Sequence, residues 1–322
     1  MRPALAVTFG LAALFVGLGF VLPEWLVFVL ALALAKGLVV LSVVLLMYAG
    51  LVSFGQGLFF GAGAYAVGFA MKLWGTQDAI VAVGLGVGVS TAVAALVGLL
   101  MARYREIFFA MLSLAFSMIL YGVLVKAYQI TGGSDGLGIP HPTILGFAPP
   151  SETLRSALYV LTVVSVAVMV YLAYRYAHSP LGYTLRAIRD NEVRVEYLGI
   201  SVPRAVYLTY VLAGSLGGLG GALVALNVGH IDPQLAYWTT SGEFVFVALL
   251  GGTGSVFAPL VGTIVYEFIR TYAFKYSPYT WQMTLGVIML AIILFMPGGL
   301  WTIYAALARQ GRQWRMSWKR TG

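Results

Sequence analysis

Ser179-Pro-Leu-Gly-Tyr-Thr-Leu-Arg-Ala-Ile-Arg-Asp-Asn-Glu192, running on to Leu198-Gly199-Ile200, decides the fold class. The stretch sets Arg186, Arg189, Asp190, Glu192, Arg194 and Glu196 between long apolar runs, in a chain where only 9% of residues are charged. Such a cluster lies in hydrocarbon only at large cost, so the segment reaches water while its flanks cross a bilayer. Ser179 is a good N-cap and Pro180 suits the first helical position. Leu181, Leu185, Ile188, Val195 and Leu198 recur near a helical period and give one apolar face to a helix over Leu181–Tyr197. Gly199 supplies the stop and Pro203 opens the next span. An amphipathic helix of this kind either rests on lipid or fits a groove in a partner protein, and amphipathicity alone does not separate the two.

Working outward, composition agrees with that placement. The 322 residues are 61% hydrophobic with a mean hydropathy of +0.92, and the apolar runs match the roughly 20 residues that span a ~30 Å core. They are Pro3–Leu22, Leu26–Tyr48, Leu58–Met71, Ala79–Met101, Ile107–Tyr128, Leu154–Tyr176, Ala205–Val228, Phe244–Leu250, Val256–Phe274 and Trp281–Leu307. The expectation is an all-α, polytopic transmembrane bundle of about 8–10 spans, some broken or half-length. Phe244–Leu250 is too short to cross alone and reads as a half-span broken by Gly251–Ser255.

Basic residues orient the chain. Arg103, Arg105, Arg175, Arg186, Arg189, Arg194 and Arg204 fall on one side, with Arg2 and the tail residues Arg309, Arg312, Arg315, Lys319 and Arg320. The other side, around Pro23–Glu24, Gly132–Pro150 and His230–Thr240, is poor in Lys and Arg. The positive-inside rule makes the basic side cytoplasmic and predicts that both termini lie there. Arg2 before an apolar run resembles a signal peptide, but Pro3–Leu22 is long and no small-x-small site precedes Pro23, so a retained first span is expected. A net charge of +8 is read as inner-surface charge rather than as nucleic-acid binding.

Chemistry is sparse. The chain has no cysteine, and His141, His178 and His230 are far apart without ligand-spaced partners, so no metal site is expected. No phosphate loop, zinc-protease pair or nucleophile elbow is present, so no catalytic residue is assigned. Lys36, Lys126, Glu243, Glu267 and Arg270 are the few ionisable groups in or beside spans, and Glu267 and Arg270 read as an i,i+3 ion pair. A proton-driven carrier would show more mid-span carboxylates.

Glycines fall into two classes. The pairs 214/218, 217/221, 57/61 and 84/88 are small-xxx-small spacings that let helix backbones approach in lipid. Gly50-Leu-Val-Ser-Phe-Gly-Gln-Gly57 and Gly251-Gly-Thr-Gly-Ser255 instead carry polar residues. They read either as helix breaks at membrane depth or as interfacial turns. If they are breaks, Ser53, Gln56, Ser113 and Thr253 are the candidates for a substrate path; the alternative is polar packing between helices.

Several ordered motifs then carry a resemblance over nearly the whole chain. Arg186-Ala-Ile-Arg-Asp-Asn-Glu192 with Leu198-Gly-Ile200, Val52-Ser-Phe-Gly-Gln-Gly-Leu-Phe-Phe-Gly-Ala-Gly-Ala-Tyr65, Phe109-Ala-Met-Leu-Ser-Leu-Ala-Phe116, Thr131-Gly-Gly-Ser-Asp-Gly-Leu137, Leu250-Gly-Gly-Thr-Gly-Ser255 and Pro297-Gly-Gly-Leu300 resemble the branched-chain amino acid permeases of ABC importers, in particular their M-type subunit. Met118 stands where the family commonly has glutamate, Asp135 where it has asparagine, and Gln56 where histidine or an aromatic is frequent. The resemblance implies one type II importer permease domain over 1–322, with a cytoplasmic coupling segment at 178–204 and a basic tail at 305–322. It implies a translocation subunit rather than an enzyme, in a prokaryotic inner membrane. Its partners would be a second homologous permease, two cytoplasmic ATPases that bind ATP-Mg, and an extracytoplasmic binding protein. This chain would hold no cofactor of its own. Arg186, Ala187, Arg189, Asn191, Glu192, Gly199 and Ile200 would carry the ATPase coupling. Leucine, isoleucine and valine are the implied substrates, with urea or short-chain amides the alternative inside the family. A self-sufficient secondary carrier or channel is the alternative outside it.

Overall fold

The computed structural model describes residues 2–302 apart from positions 277 and 297, so the basic tail at 305–322 lies outside the described residues. In order, the helices are α1 Arg2–Val21, α2 Glu24–Met47, α3 Gln56–Lys72, α4 Ala79–Met101, α5 Glu106–Lys126, α6 Tyr128–Thr131, α7 Ser151–Ala177, α8 Pro180–Asp190, α9 Glu192–Tyr197, α10 Val202–Val228, α11 Trp238–Gly251, α12 Ala258–Tyr276 and α13 Trp281–Phe295. Among the described residues, six apolar helices, α1–α5 and α7, precede Ser179, and four, α10–α13, follow the α8–α9 segment. Five of them, α2, α4, α5, α7 and α10, are long and apolar enough to cross a membrane by length and composition. The short run Phe244–Leu250 extends backward into the 14-residue α11. At 1.5 Å per residue that is about 21 Å, less than a full crossing.

Helices α2 and α10 form the centre, and the outer helices turn apolar side chains outward. On α5, Ile107, Phe108, Met111, Ile119 and Val123 are all exposed, as lipid contact requires. Because lipid tails are as apolar as leucine, close backbone approach has to hold the centre together. Gly214, Gly218 and Ala222 of α10 lie against Ala94, Ser90 and Gly86 of α4, two i,i+4 rows of small residues running in opposite directions. Ser90 Oγ donates to the Gly214 carbonyl across this seam at 2.9 Å. Gly217 and Gly221 face Phe59 and Phe60 of α3, while Gly220 faces Ala35 and Val39 of α2. Three helices thus pack on one glycine-rich rod. The 84/88 pair behaves otherwise: Gly84 and Gly88 meet nothing, and Gly86 between them makes the contact.

One end of the bundle is closed by loops. Strand β1 (Leu137–Gly138) pairs antiparallel with β2 (His230–Ile231). Asp78 caps α4 by accepting from the N–H groups of Ile80 and Val81, and it also accepts from Gly146 N–H at 3.2 Å. Desolvation pushes its carboxyl upward, but these backbone donors outweigh it and hold the group below its ordinary range. At the opposite end lie the turn after α2, the turn before α5, and the charged segment α8–α9.

Candidate functional site: the docking segment and the mid-bundle breaks

Ser179 caps α8 as its sequence implies, accepting from Gly182 N–H at 3.3 Å with Pro180 at the first position. The expected single helix over Leu181–Tyr197 is two, because Asn191 leaves helical space at φ −164°, ψ 104° and caps α9 with its side chain on Arg194 N–H. The break re-aims the second half. Leu185, Ile188 and Val195 are buried, but Leu198, expected on the same apolar face, is 78% exposed and Tyr197 is 87% exposed. Gly199 adopts φ +80°, a left-handed stop whose N–H bonds to Glu196 O, while Ile200 N–H reaches back to Val195 O.

The polar residues of the segment divide by what they touch. Arg186 lies over the Tyr48 ring at 5.1 Å, and Arg189 packs against Gly50, whose φ is +76°. Glu192 takes a two-oxygen hydrogen bond from Arg105 Nε at 3.0 and 3.1 Å, and Arg105 also donates to the carbonyls of Ala102 and Tyr104. Three of the seven sequence candidates, Arg186, Arg189 and Glu192, therefore anchor the segment to the turns after α2 and before α5. Asn191 and Gly199 shape it, and Ala187 and Ile200 are exposed on its surface. Arg105 was legible only as a charge that orients the chain and Gly50 only as the start of a possible break, and nothing in the sequence linked either of them, or Tyr48, to this segment.

Of the substrate-path candidates, Ser53, Gln56 and Ser113 come together and Thr253 does not. The chain leaves α2 at Tyr48 and stays non-helical until Gln56, with Ser53 and Gln56 fully buried. Amide groups freed at such a break need partners inside the protein. Ser113 on α5 supplies one, accepting from Phe54 N–H at 3.1 Å, and Ser53 accepts from Gly55 N–H. One turn on, Ser117 donates to the Ala236 carbonyl at 2.8 Å, at the end of the short 3-10 turn Pro233–Ala236 before α11. Ser241 in the first turn of α11 accepts from Gly57 N–H in the first turn of α3 at 2.8 Å and so joins the starts of these two helices. Ser117 is legible in hindsight as the i+4 neighbour of Ser113, and Ser241 as part of the polar run that opens α11. Thr253 sits in the turn between α11 and α12, where Gly252 packs on Gly298 and Gly299.

Gln56 is imperfectly satisfied. Ser42 Oγ lies 2.5 Å from Val39 O and 3.0 Å from the Gln56 amide oxygen, and Gln56 Nε2 has no partner among the described residues. A hydroxyl has one proton, so Ser42 serves both acceptors only in turn. Exchanging the amide atoms moves the deficit to Oε1 without removing it.

A second polar cluster joins α2, α11 and α12. Lys36 Nζ is 2.6 Å from Glu267 and 3.9 Å from Glu243, and Arg270 is 3.3 Å from Glu243 and 3.8 Å from Glu267. The predicted Glu267–Arg270 pair is thus one side of a four-member network of zero net charge. Its shortest contact crosses 231 positions of sequence.

Comparison with known proteins fixes what this architecture is. A family model described as the permease component of branched-chain amino acid transport systems matches residues 25–294, from α2 into α13. The chain belongs to this family. The permease is 26% identical over 274 residues to the high-affinity branched-chain amino acid transport system permease protein LivM of Salmonella typhimurium, covering 78% of this chain and 64% of that one. It is 29% identical over 217 residues to the probable LivM of Methanocaldococcus jannaschii, covering 62% and 61%. It is also 31% identical over 119 residues to the nucleoside ABC transporter permease protein NupB of Lactococcus lactis, covering 36% and 33%. The chain thus spans a little under two thirds of the length of the LivM relatives. No solved structure matches it. As a family member with five helices fit to cross a bilayer, the permease is a multi-pass membrane protein.

Proposed function

We propose that this permease is one translocation half of an ATP-driven importer of branched-chain amino acids. It works beside a second homologous permease, with two ATPase subunits on the face bearing α8–α9 and a binding protein on the face bearing the β1–β2 loops. The observation that carries this reading is the docking segment. It is fastened through Arg186, Arg189 and Glu192, the two arginines being exposed themselves, and Ala187, Arg194, Tyr197, Leu198 and Ile200 stand exposed beside them. Large apolar side chains beside charges outside the bilayer suit a groove in a soluble partner. The ATPases would bind ATP-Mg and supply the energy; Gly199 and Asn191 fix the shape they grip. The face bearing Arg103, Arg105 and the segment is cytoplasmic in this reading, with both termini on the same side of an inner membrane. Ser53, Gln56 and Ser113 belong to the path, because a break lined by hydroxyls and an under-satisfied amide is where polar substrate groups find partners.

Leucine uptake into proteoliposomes holding the permease, its partner subunits and ATP tests the proposal, with a nucleoside and urea as competitors. Leucine-dependent ATP hydrolysis and uptake are expected. Leucine uptake by this chain alone would replace the reading with a self-sufficient carrier. The NupB relative makes nucleosides the second substrate class, and uptake blocked by a nucleoside but not by isoleucine would favour it.

A further inference from the structure

We propose that residues 48–57 are the element through which movement of the docking segment reaches the middle of the bundle, with Tyr48 and Gly50 as its receiving end. The proposal rests on the importer reading and adds positioning residues that lie outside the docking segment.

The receiving end is built from two contacts. Tyr48 is 5% exposed and presents its ring to the Arg186 guanidinium at 5.1 Å. Gly50 holds φ +76°, and Arg189 Cγ stands 3.4 Å from where its Cβ would be, so the arginine stem lies beside this turn. The Tyr48 hydroxyl also hydrogen-bonds with Arg186, and the guanidinium lies 5.7 Å from the Tyr183 ring, but the attraction to the Tyr48 ring face needs no fixed partner atom and survives small rotations while still transmitting a push.

The far end lies where the first turns of α3 and α11 meet. Phe54 N–H is held by Ser113, Gly57 N–H by Ser241, and the Gln56 amide by Ser42, so the strap touches α5, α11 and α2 within four residues. Helix α3 starts at Gln56, so where the strap ends sets where α3 begins. The other helices that the α8–α9 segment meets, α7, α10 and, through the Glu192–Arg105 pair, the start of α5, are unbroken over 27, 27 and 21 residues. A continuous helix moves as a rod, whereas a strap fixed by single hydrogen bonds has discrete alternative partners and can be bistable. The incomplete satisfaction of Gln56 at the strap's end is what an element with a second arrangement would show.

The test uses the assembled importer in proteoliposomes. Tyr48→Leu removes the ring, and Tyr48→Phe keeps its face. With Tyr48→Leu, ATPase subunits should still co-purify and basal ATP hydrolysis should persist. Leucine uptake per ATP hydrolysed should fall about tenfold, within the usual range of coupling effects. Tyr48→Phe should restore most of it. Parental uptake per ATP in Tyr48→Leu, or an equal loss in Tyr48→Phe, would overturn the proposal. Should Tyr48→Leu fail to assemble, a second readout decides. The chain has no cysteine, so Val52→Cys in the partly exposed strap reports its own thiol-labelling rate. A several-fold change between nucleotide-free and ATP-trapped complexes is expected, and identical rates would show that the strap does not move. Parental complexes that retain no ATPase would instead count against the importer reading itself.

Discussion

At the scale of single residues, Lys36 is the most consequential side chain that carries no motif. It is 13% exposed on α2 and faces two carboxylates from α11 and α12. Removing one partner of a buried pair leaves uncompensated charge and costs about 3–5 kcal/mol, whereas replacing both partners with neutral groups is far milder. Lys36→Met should therefore lower thermal stability in detergent sharply, and Lys36→Met with Glu267→Gln should recover much of the loss. If the double variant is no more stable than the single one, the network is not what joins these helices. The sequence showed Glu267 and Arg270 because they are three residues apart on one helix. It marked Lys36 and Glu243 as in-span charges but could not pair them, because their pairing depends on which helices become neighbours.

At the scale of elements, the glycines separate into those that seat a neighbour and those that only look as if they do. A Cβ on Gly221 would run into the Phe60 carbonyl, which is backbone and cannot swing aside. Gly221→Ala should cost about 1–3 kcal/mol, the usual penalty for overpacking, read as a fall in thermal midpoint. Gly84→Ala should match or exceed the parent, since nothing lies within 4 Å of that position and alanine favours a helix interior over glycine by about 1 kcal/mol. Equal effects at the two sites would refute the α3–α10 contact. Spacing alone marked both pairs alike, because i,i+4 periodicity says that two residues share a face and not which way the face points. The docking segment teaches the same lesson: Ser179, Pro180 and Gly199 were legible as its ends, but the break at Asn191 was hidden in an unbroken helical pattern.

For the whole molecule, the proposed importer reading stands or falls at the docking segment. Gly199 has open space around it but a φ of +80°, so valine is disfavoured by backbone conformation rather than by a clash. Gly199→Val should insert normally into membranes, yet lose leucine uptake with the ATPase subunits. Gly199→Asn, which tolerates the left-handed region, should keep most of it. Normal uptake in the valine variant, or equal loss in both, would remove Gly199 from the coupling surface.

The sequence by itself determined that this chain is a membrane-spanning helical bundle with a charged, helix-forming segment at Ser179–Ile200 set between its apolar runs. Burial of uncharged runs and exclusion of charge from hydrocarbon are properties of composition and order, and they act before any tertiary contact forms. Only the tertiary structure decided that the stretch between α2 and α3 and the turn leading into α11 meet at Ser113, Ser117 and Ser241, that Thr253 stands apart from them, and that Arg186 and Arg189 lie against Tyr48 and Gly50. Those pairings depend on how the rods rotate and cross, which is set by close contacts between small residues far apart in the chain.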